Sequence, residues 1–196
     1  MKKSITIIVV LHNDLQEYSK NDLYTDYFSW LKTELESISE RDVRIVMHAH
    51  HEVPQLSGYN YRNEDGSAAL QGWINLIQDW YTKILKYEEH EPGLTKVLLL
   101  TRNNIYTKAG GLLGGIGGYG LIKGHCAIAA ITSKQIPAHE IGHMLGATHE
   151  DSEVIYNGWW HDTIMLSDDF SNARGNAYRY SDKNRENIRQ YLSTFA

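Results

Sequence analysis

The chain has 196 residues, of which 42% are hydrophobic and 22% charged, a composition typical of one globular domain with a sizeable core. Its net charge of -5 includes no block of basic residues, which argues against nucleic-acid binding because phosphates are neutralised by clustered lysine and arginine. A single cysteine excludes an internal disulfide, and no run reaches the ~20 apolar residues that span a bilayer.

The first residues superficially resemble a secretory signal, with two lysines ahead of the apolar run from Ile5 to Leu11. That run is short, a polar segment follows it, and no small-residue cleavage site is visible. We therefore predict a buried β-strand at residues 4–11 rather than a signal peptide. The chain is expected in the cytoplasm where it is made, with any export by a non-classical or specialised route.

The chain then alternates strand and helix patterns without an internal repeat. Short β-branched or alternating segments predict further strands at residues 42–48, 96–101 and 126–132. Apolar residues at helical spacing predict helices at residues 22–39 and 67–87, from Ser133–Pro137 to Gly146, and at about 182–194. Residues 150–181 are predicted to be irregular. This order indicates an α/β (α+β) fold in which helices pack on a sheet.

The segment from His139 to Glu150 reads HEIGHMLGATHE and carries the clearest chemical signal. His139 and His143 are four residues apart, so on a helix both imidazoles lie on one face. Gly146 can end that helix in a left-handed turn, because glycine adopts positive φ without steric cost. The turn would return His149 as a third ligand. Three histidines leave an open position, which is typical of catalytic rather than structural zinc.

Glu140 lies beside the first histidine and is not a ligand by this geometry. We predict that it acts as the general base, which takes a proton from the attacking water and passes it to the leaving amine. Zinc lowers the pKa of water toward ~7 and polarises the substrate carbonyl, so no side-chain nucleophile is needed. The expected cofactor is one catalytic Zn²⁺ ion, although three imidazoles do not exclude cobalt, nickel or copper. The alternative is an ordinary helix with three hydrogen-bonded histidines.

The pattern HExxHxxGxxH followed by a methionine turn is the signature of metzincin zinc peptidases. The segments KVLLLTRNNIY, GGIGGYG, HCAIAAITSK and PAHEIGHMLGATHE resemble the strands and active-site helix of the reprolysin-like (adamalysin) branch, and TIM at Thr163–Met165 resembles its Met-turn. The resemblance covers residues 95–167 well. By resemblance, the ligands are His139, His143 and His149, the base is Glu140, and Met165 is the floor beneath the ligands.

The resemblance implies a twisted, mostly parallel five-stranded sheet with an antiparallel edge strand, long helices packed on it, an active-site helix and a small C-terminal subdomain. It implies one catalytic domain at 1–196, with an upper part at 1–148 and a lower part at 149–196. The implied activity is that of a metalloendopeptidase that cleaves extended proteins or peptides. A monomer is expected. The chain departs from the family at Glu150, which stands where aspartate is usual and is followed by Asp151.

Two other functions stay open. One is a delivered toxin or effector protease, restrained by an inhibitor or immunity protein. The other is an interaction module that holds zinc without turnover, although an intact Glu140 argues against it because a module needs no base. In every case the expected partners include a protein or peptide and exclude nucleic acid and a membrane span.

The glycine-rich stretch Gly110–Gly124 could pair with an extended peptide by strand addition, or form a flexible surface loop. Its Gly115, Gly117 and Gly120 spell GxGxxG, but a strand pattern follows them, which disfavours a dinucleotide site. The stretch is therefore interpreted as an edge of the cleft or as a loop.

Three further groups of residues carry weaker signals. The HAHH cluster at His48–His51 is expected to be exposed, or partly a core histidine, rather than a second metal site. Cys126 is expected to be a small buried hydrophobe. Aromatic residues after the third histidine could shape a substrate pocket, but most are expected in the core; they are Trp159, Trp160, Phe170, Tyr178 and Tyr180.

Overall fold

A computed structural model describes residues 2–84, 91, 93–107, 115–166 and 173–195. Its strands are β1 (Ile5–Leu11), β2 (Val43–His48), β3 (Thr95–Thr101), β4 (Tyr106–Thr107), β5 (Gly115–Ile116), β6 (Gly118–Gly120), β7 (Cys126–Ala130), β8 (Val154–Tyr156), β9 (Trp160–Asp162) and β10 (Gly175–Asn176). Its helices are α1 (Lys20–Leu23), α2 (Ser29–Ser39), α3 (Pro54–Ser57), α4 (Gly66–Ile84), α5 (Ile136–Met144) and α6 (Asp182–Ser193). A π-helical stretch, Tyr24–Phe28, joins α1 to α2.

Five strands form the main sheet, in the order β2–β1–β3–β7–β6. Neighbouring strands from β2 to β7 run parallel, and β6 runs antiparallel to β7 at the edge. The register places Leu98 of β3 between Val9 of β1 and Ala127 of β7. The prediction of a mostly parallel five-stranded sheet with an antiparallel edge strand is confirmed.

Helices cover both faces of this sheet, because successive side chains of a strand point to opposite sides. Leu98 and Leu100 pack in a core with residues of α2, α5 and α6. Leu99 packs in a second core, on the other face, with Trp73 of α4. Strand β3 is therefore buried on both sides, which explains why it is apolar over most of its length.

Lys96 is the exception to that apolar pattern. It is fully buried, and its ammonium donates to the Gly124 carbonyl and to the Tyr191 hydroxyl, each at 2.9 Å. Gly124 lies just before β7 and Tyr191 lies in α6, so one lysine joins the central strand to both. Burial lowers the pKa of Lys96 to about 8.

The segment at 150–181 was predicted to be irregular, and that prediction is wrong for three short strands. It contains a three-stranded sheet in the order β10–β9–β8, with β8 antiparallel and β10 parallel to β9. Strands of two or three residues are too short to show an alternating pattern, and pairing with one another is what stabilises them. Residues 167–172 of this segment lie outside the described residues.

Other predicted elements fall close to their places. Helix α4 covers the predicted helix as far as Ile84, and residues 85–87 lie outside the described part of the chain. The glycine-rich stretch enters the described part at Gly115, where it forms β5 and then β6. Among the described residues, no helix combines the length and the apolar character needed to cross a bilayer.

We expect Leu98→Ala to lower the free energy of unfolding by ~2–5 kcal/mol, because it leaves a cavity in the central strand. Val46→Ala in β2 is the matched control, since Val46 is 40% exposed and should change stability by less than ~0.5 kcal/mol. Urea denaturation of both variants would measure the difference. Equal losses for the two would contradict the placement of the core.

Candidate metal centre

Helix α5 presents the first two histidines of the motif. It begins beside Pro137, which is tolerated in a first turn because that backbone position needs no donor. Its buried residues Ala138 and Ile141 belong to the core beneath the sheet. His139 and His143 share one face, with ring centroids 4.8 Å apart.

The helix ends in a Schellman motif built on Gly146, whose φ is 98°. The Gly146 N–H donates to the His143 carbonyl and the Ala147 N–H donates to the Gly142 carbonyl, each at 2.9 Å. A side chain at Gly146 would be strained at this φ, so glycine is required by backbone conformation. The reversal directs the chain back toward the helix and carries His149 with it.

The three imidazoles converge on one point. Nε2 of His149 lies 2.8 Å from Nε2 of His139 and 3.0 Å from Nε2 of His143. The potential ligand atoms of the three residues all lie within 4.8 Å of one another. Within the described ranges this is the only group of three or more histidine, cysteine or acidic residues placed to share an ion.

The contacts of the Nδ1 atoms determine the tautomers of two of these histidines. Nδ1 of His139 lies 3.0 Å from the Ile164 carbonyl, and Nδ1 of His143 lies 3.1 Å from the Ala147 carbonyl. A carbonyl only accepts, so each Nδ1 carries the proton and each Nε2 turns a lone pair inward. His149 can donate a proton to only one of the two.

The donor set fits a divalent cation, because convergent imidazole lone pairs repel unless a positive charge lies between them. Imidazole nitrogens suit zinc, and tetrahedral zinc would space them ~3.3 Å apart, close to the observed separations. Burial lowers the pKa of His139 to about 3 and also lowers the pKa of His143, which favours the neutral rings that a metal ligand requires.

Glu140 leaves α5 on the side of the edge strand β6 and is only 5% exposed. Burial raises the pKa of its carboxyl group to about 8. A cation held by the neighbouring histidines would favour the charged carboxylate and lower that pKa. The charge of the Glu140 carboxyl group would therefore depend on whether the histidine cluster holds a cation.

Met165 and Tyr180 form the floor beneath α5, and both are fully buried. A Cβ on Gly142 would lie 2.7 Å from Sδ of Met165 and 2.7 Å from Cε1 of Tyr180, so both side chains pack directly on the helix backbone. The Tyr180 hydroxyl donates to the Ala138 carbonyl at 2.7 Å. Sequence reasoning identified Met165 but had no signal for Gly142 or for choosing Tyr180 among the aromatics.

A second support, also missed from sequence, holds the loop that carries His149. The buried side chain of Asn184 accepts from the Thr148 N–H at 2.8 Å and donates to the Thr148 carbonyl at 2.9 Å. Asp151 accepts from Asn187 at 2.6 Å and from the Thr148 hydroxyl at 3.3 Å. Glu150 is exposed, so the carboxylate that braces this loop is Asp151 rather than the residue next to the third histidine.

The other sequence candidates lie apart from the histidine cluster. His48 lies 3.9 Å from the Glu52 carboxylate, and the rings of His50 and His51 contact each other rather than converging on a shared centre. Cys126 is buried in β7, and burial raises the pKa of its thiol to about 12, as expected for a core residue.

The structure also shows where the GxGxxG glycines and most of the aromatic candidates lie. The GxGxxG glycines lead into β7 and not into a helix, so they do not form a dinucleotide cradle. Trp159 and Trp160 are exposed on the β8–β9 hairpin, and Tyr178 is exposed as well. Phe170 lies outside the described residues.

Two solved structures share this fold. The metalloproteinase-II from Bacteroides fragilis matches with a TM-score of 0.63 and 19% sequence identity, over 96% of this chain and 52% of that chain. The zinc-dependent peptidase from Methanocorpusculum labreanum (strain Z) matches with a TM-score of 0.54 and 15% identity, over 93% of this chain and 99% of that chain. The chain thus spans about half the length of the Bacteroides protein. No protein-family model and no curated protein matches the sequence.

We expect Asn184→Ala to lower the free energy of unfolding by ~1–3 kcal/mol, because it leaves the partly buried N–H and carbonyl of Thr148 without the partners that Asn184 supplies. The loosened loop should also hold His149 less firmly and weaken binding of a cobalt(II) probe. Urea denaturation and a spectroscopic cobalt titration would measure the two effects. Asn75→Ala, on the exposed face of α4, is the control; if it weakens cobalt binding equally, the bracing role of Asn184 is wrong.

Proposed function

We propose that this chain is a zinc-dependent metallopeptidase, with His139, His143 and His149 as ligands and Glu140 as the general base. The observation that carries the proposal is the convergence of three Nε2 atoms, two of them on rings whose Nδ1 is held by a backbone carbonyl. The fold is shared with a protein named as a metalloproteinase and with one named as a zinc-dependent peptidase, which supports the same chemistry here. Endopeptidase action and the reprolysin-like branch are finer predictions that rest on the sequence motif.

The three imidazoles would hold one zinc ion, each through Nε2. When bound, zinc supplies Lewis acidity, which polarises a peptide carbonyl and lowers the pKa of water toward ~7. The Ile164 and Ala147 carbonyls keep the protons of two rings on Nδ1 and so keep those ligands in the required tautomer. The turn at Ile164–Met165 thus contributes to the site through the Ile164 carbonyl, which contacts Nδ1 of His139.

Glu140 would accept the proton of the attacking water at its carboxylate and deliver it to the amine that leaves. Its burial excludes bulk solvent, which strengthens its interaction with charge that develops beside it. Among the described residues, no lysine or arginine pairs with this carboxyl group, whose pKa is shifted by burial alone, so no ion pair competes with this role.

The free edge of β6 is the surface proposed to receive the substrate backbone. Among the strands that the structure describes, β7 pairs with one side of β6 and none pairs with the other. An extended peptide could add there by main-chain hydrogen bonds. This supports an extended peptide as the substrate and the cleft-edge interpretation of the glycine-rich stretch.

We expect Glu140→Gln to lower kcat for peptide cleavage by at least ~10²-fold, because removal of a general base costs that much or more. Zinc content should stay at about one ion per chain, since the three ligands are untouched. Cleavage of an unbiased peptide library, with metal analysis of each protein, would measure both. Glu64→Gln is the matched control, because Glu64 is exposed and far along the chain from the motif.

The outcomes separate a peptidase from a zinc-holding interaction module. Cleavage by the wild type and by Glu64→Gln, but not by Glu140→Gln, supports the proposed mechanism and reports the cleavage sites. Zinc in every protein with cleavage by none would contradict the peptidase and favour the zinc-holding interaction module.

Removal of zinc with a chelator should abolish cleavage, and added zinc should restore it. Zinc should also raise the melting temperature by ~5–10 °C when present at about a hundred times its Kd, because it binds only the folded state. His149→Ala should lose both the restoration and most of the shift. Differential scanning calorimetry with and without zinc would measure this, and an equal shift for His149→Ala would rule out the proposed ligand set.

A further inference from the structure

The edge strand β6 has an unusual composition for a strand, Gly-Tyr-Gly. Glycine weakens strands because it has no side chain to pack and loses much backbone freedom. Neither Gly118 nor Gly120 has a positive φ, and the positive-φ glycines of the described chain are Gly146 and Gly158. Backbone conformation therefore does not require glycine at 118 or 120, and the reason must be space.

The space lies on the side of the active-site helix. Gly118 and Gly120 pair with Ala129 and Ala127 of β7, two residues of the core that includes α5. Tyr119 points to the other face, where its ring contacts Gly66 of α4. The alternation of the strand thus turns both glycines toward α5.

The side chain of Glu140 fills the space beside Gly118. A Cβ on Gly118 would lie 2.6 Å from Oε1, 2.7 Å from Cγ and 2.9 Å from Cδ of Glu140. Heavy atoms do not approach a real Cβ that closely, so one of the two groups must shift. All three nearest atoms belong to the Glu140 side chain, and none belongs to a backbone.

Gly120 bounds the other oxygen. A Cβ there would lie 3.0 Å from Oε2 of Glu140, 3.2 Å from Cβ of Ala127 and 3.3 Å from the Glu140 carbonyl. These contacts are tight but less severe than those at Gly118. One glycine therefore borders Oε1 and the next glycine on the same face borders Oε2.

We propose that Gly118 and Gly120 are positioning residues that form a side-chain-free seat for the Glu140 carboxyl group. The inference rests on the proposed function, because it assigns the seat to the general base of that reaction. The strand that would receive the substrate backbone then also sets the position of the base. A methyl group on either glycine would move the base without touching a metal ligand.

The first test is a double-mutant cycle in stability, which does not depend on activity. Gly118→Ala should lower the melting temperature by ~2–10 °C, the effect of overpacking on a chain of this size. In the Glu140→Ala background the same substitution should cost nothing, because the methyl group fills the volume that the glutamate leaves. An equal loss of melting temperature in both backgrounds would contradict the proposed seat.

The second test is kinetic. Gly118→Ala should lower kcat ~10–100-fold, because a misplacement of about 1 Å in a catalytic group costs that much. KM and zinc content should stay near the wild-type values, a split that general destabilisation would not produce. Gly120→Ala should lower kcat in the same way but by a smaller factor. It replaces Gly118→Ala as the test variant if Gly118→Ala folds poorly.

Gly58→Ala is the matched control, since its Cβ would meet the Pro54 carbonyl at 3.4 Å and Asn13 Nδ2 at 3.5 Å, ordinary contacts remote from Glu140. It should leave kcat unchanged. An unchanged kcat in both β6 variants, with an active wild type, would overturn the positioning role. A wild type that cleaves nothing would instead refute the proposed function, and the stability cycle would still decide whether the seat exists.

Discussion

The reversal of the chain at Gly146 is the constraint on which the rest of the site depends. The positive φ of this residue closes the Schellman motif at the end of α5 and sends the chain back along the helix. Without it, His149 would continue away from the two helical histidines. The same reversal places the Ala147 carbonyl against Nδ1 of His143, so one turn supplies the third imidazole and orients the second.

Residues that follow His149 support the imidazole cluster from two sides. Helix α6 holds the His149 loop through both hydrogen bonds of Asn184 to Thr148, while Tyr180 and Met165 pack beneath the helix at Gly142. These contacts make the imidazole cluster a product of two segments rather than of one motif. They also explain a glycine at 142, since any side chain there would displace the floor.

Much of the fold was predictable because its strands and helices are long enough to show their periods. Strands β1 and β3 are mostly apolar, and α2 and α4 carry apolar residues at helical spacing. The small sheet β8–β9–β10 was not predictable, because strands of two or three residues carry no period. Their identity depends on pairing with one another.

The sequence by itself determined the candidate ligands and the base, since His139, Glu140, His143, Gly146 and His149 stand at spacings that a helix and a tight turn convert directly into geometry. Only the tertiary structure decided what surrounds them. Asn184 lies 36 residues from Thr148 in the chain. The Glu140 side chain of α5 packs against Gly118 of β6. Local spacing specifies which side chains share a helix face. Contacts between distant segments depend on how the whole chain packs, so no single stretch of the sequence predicts them.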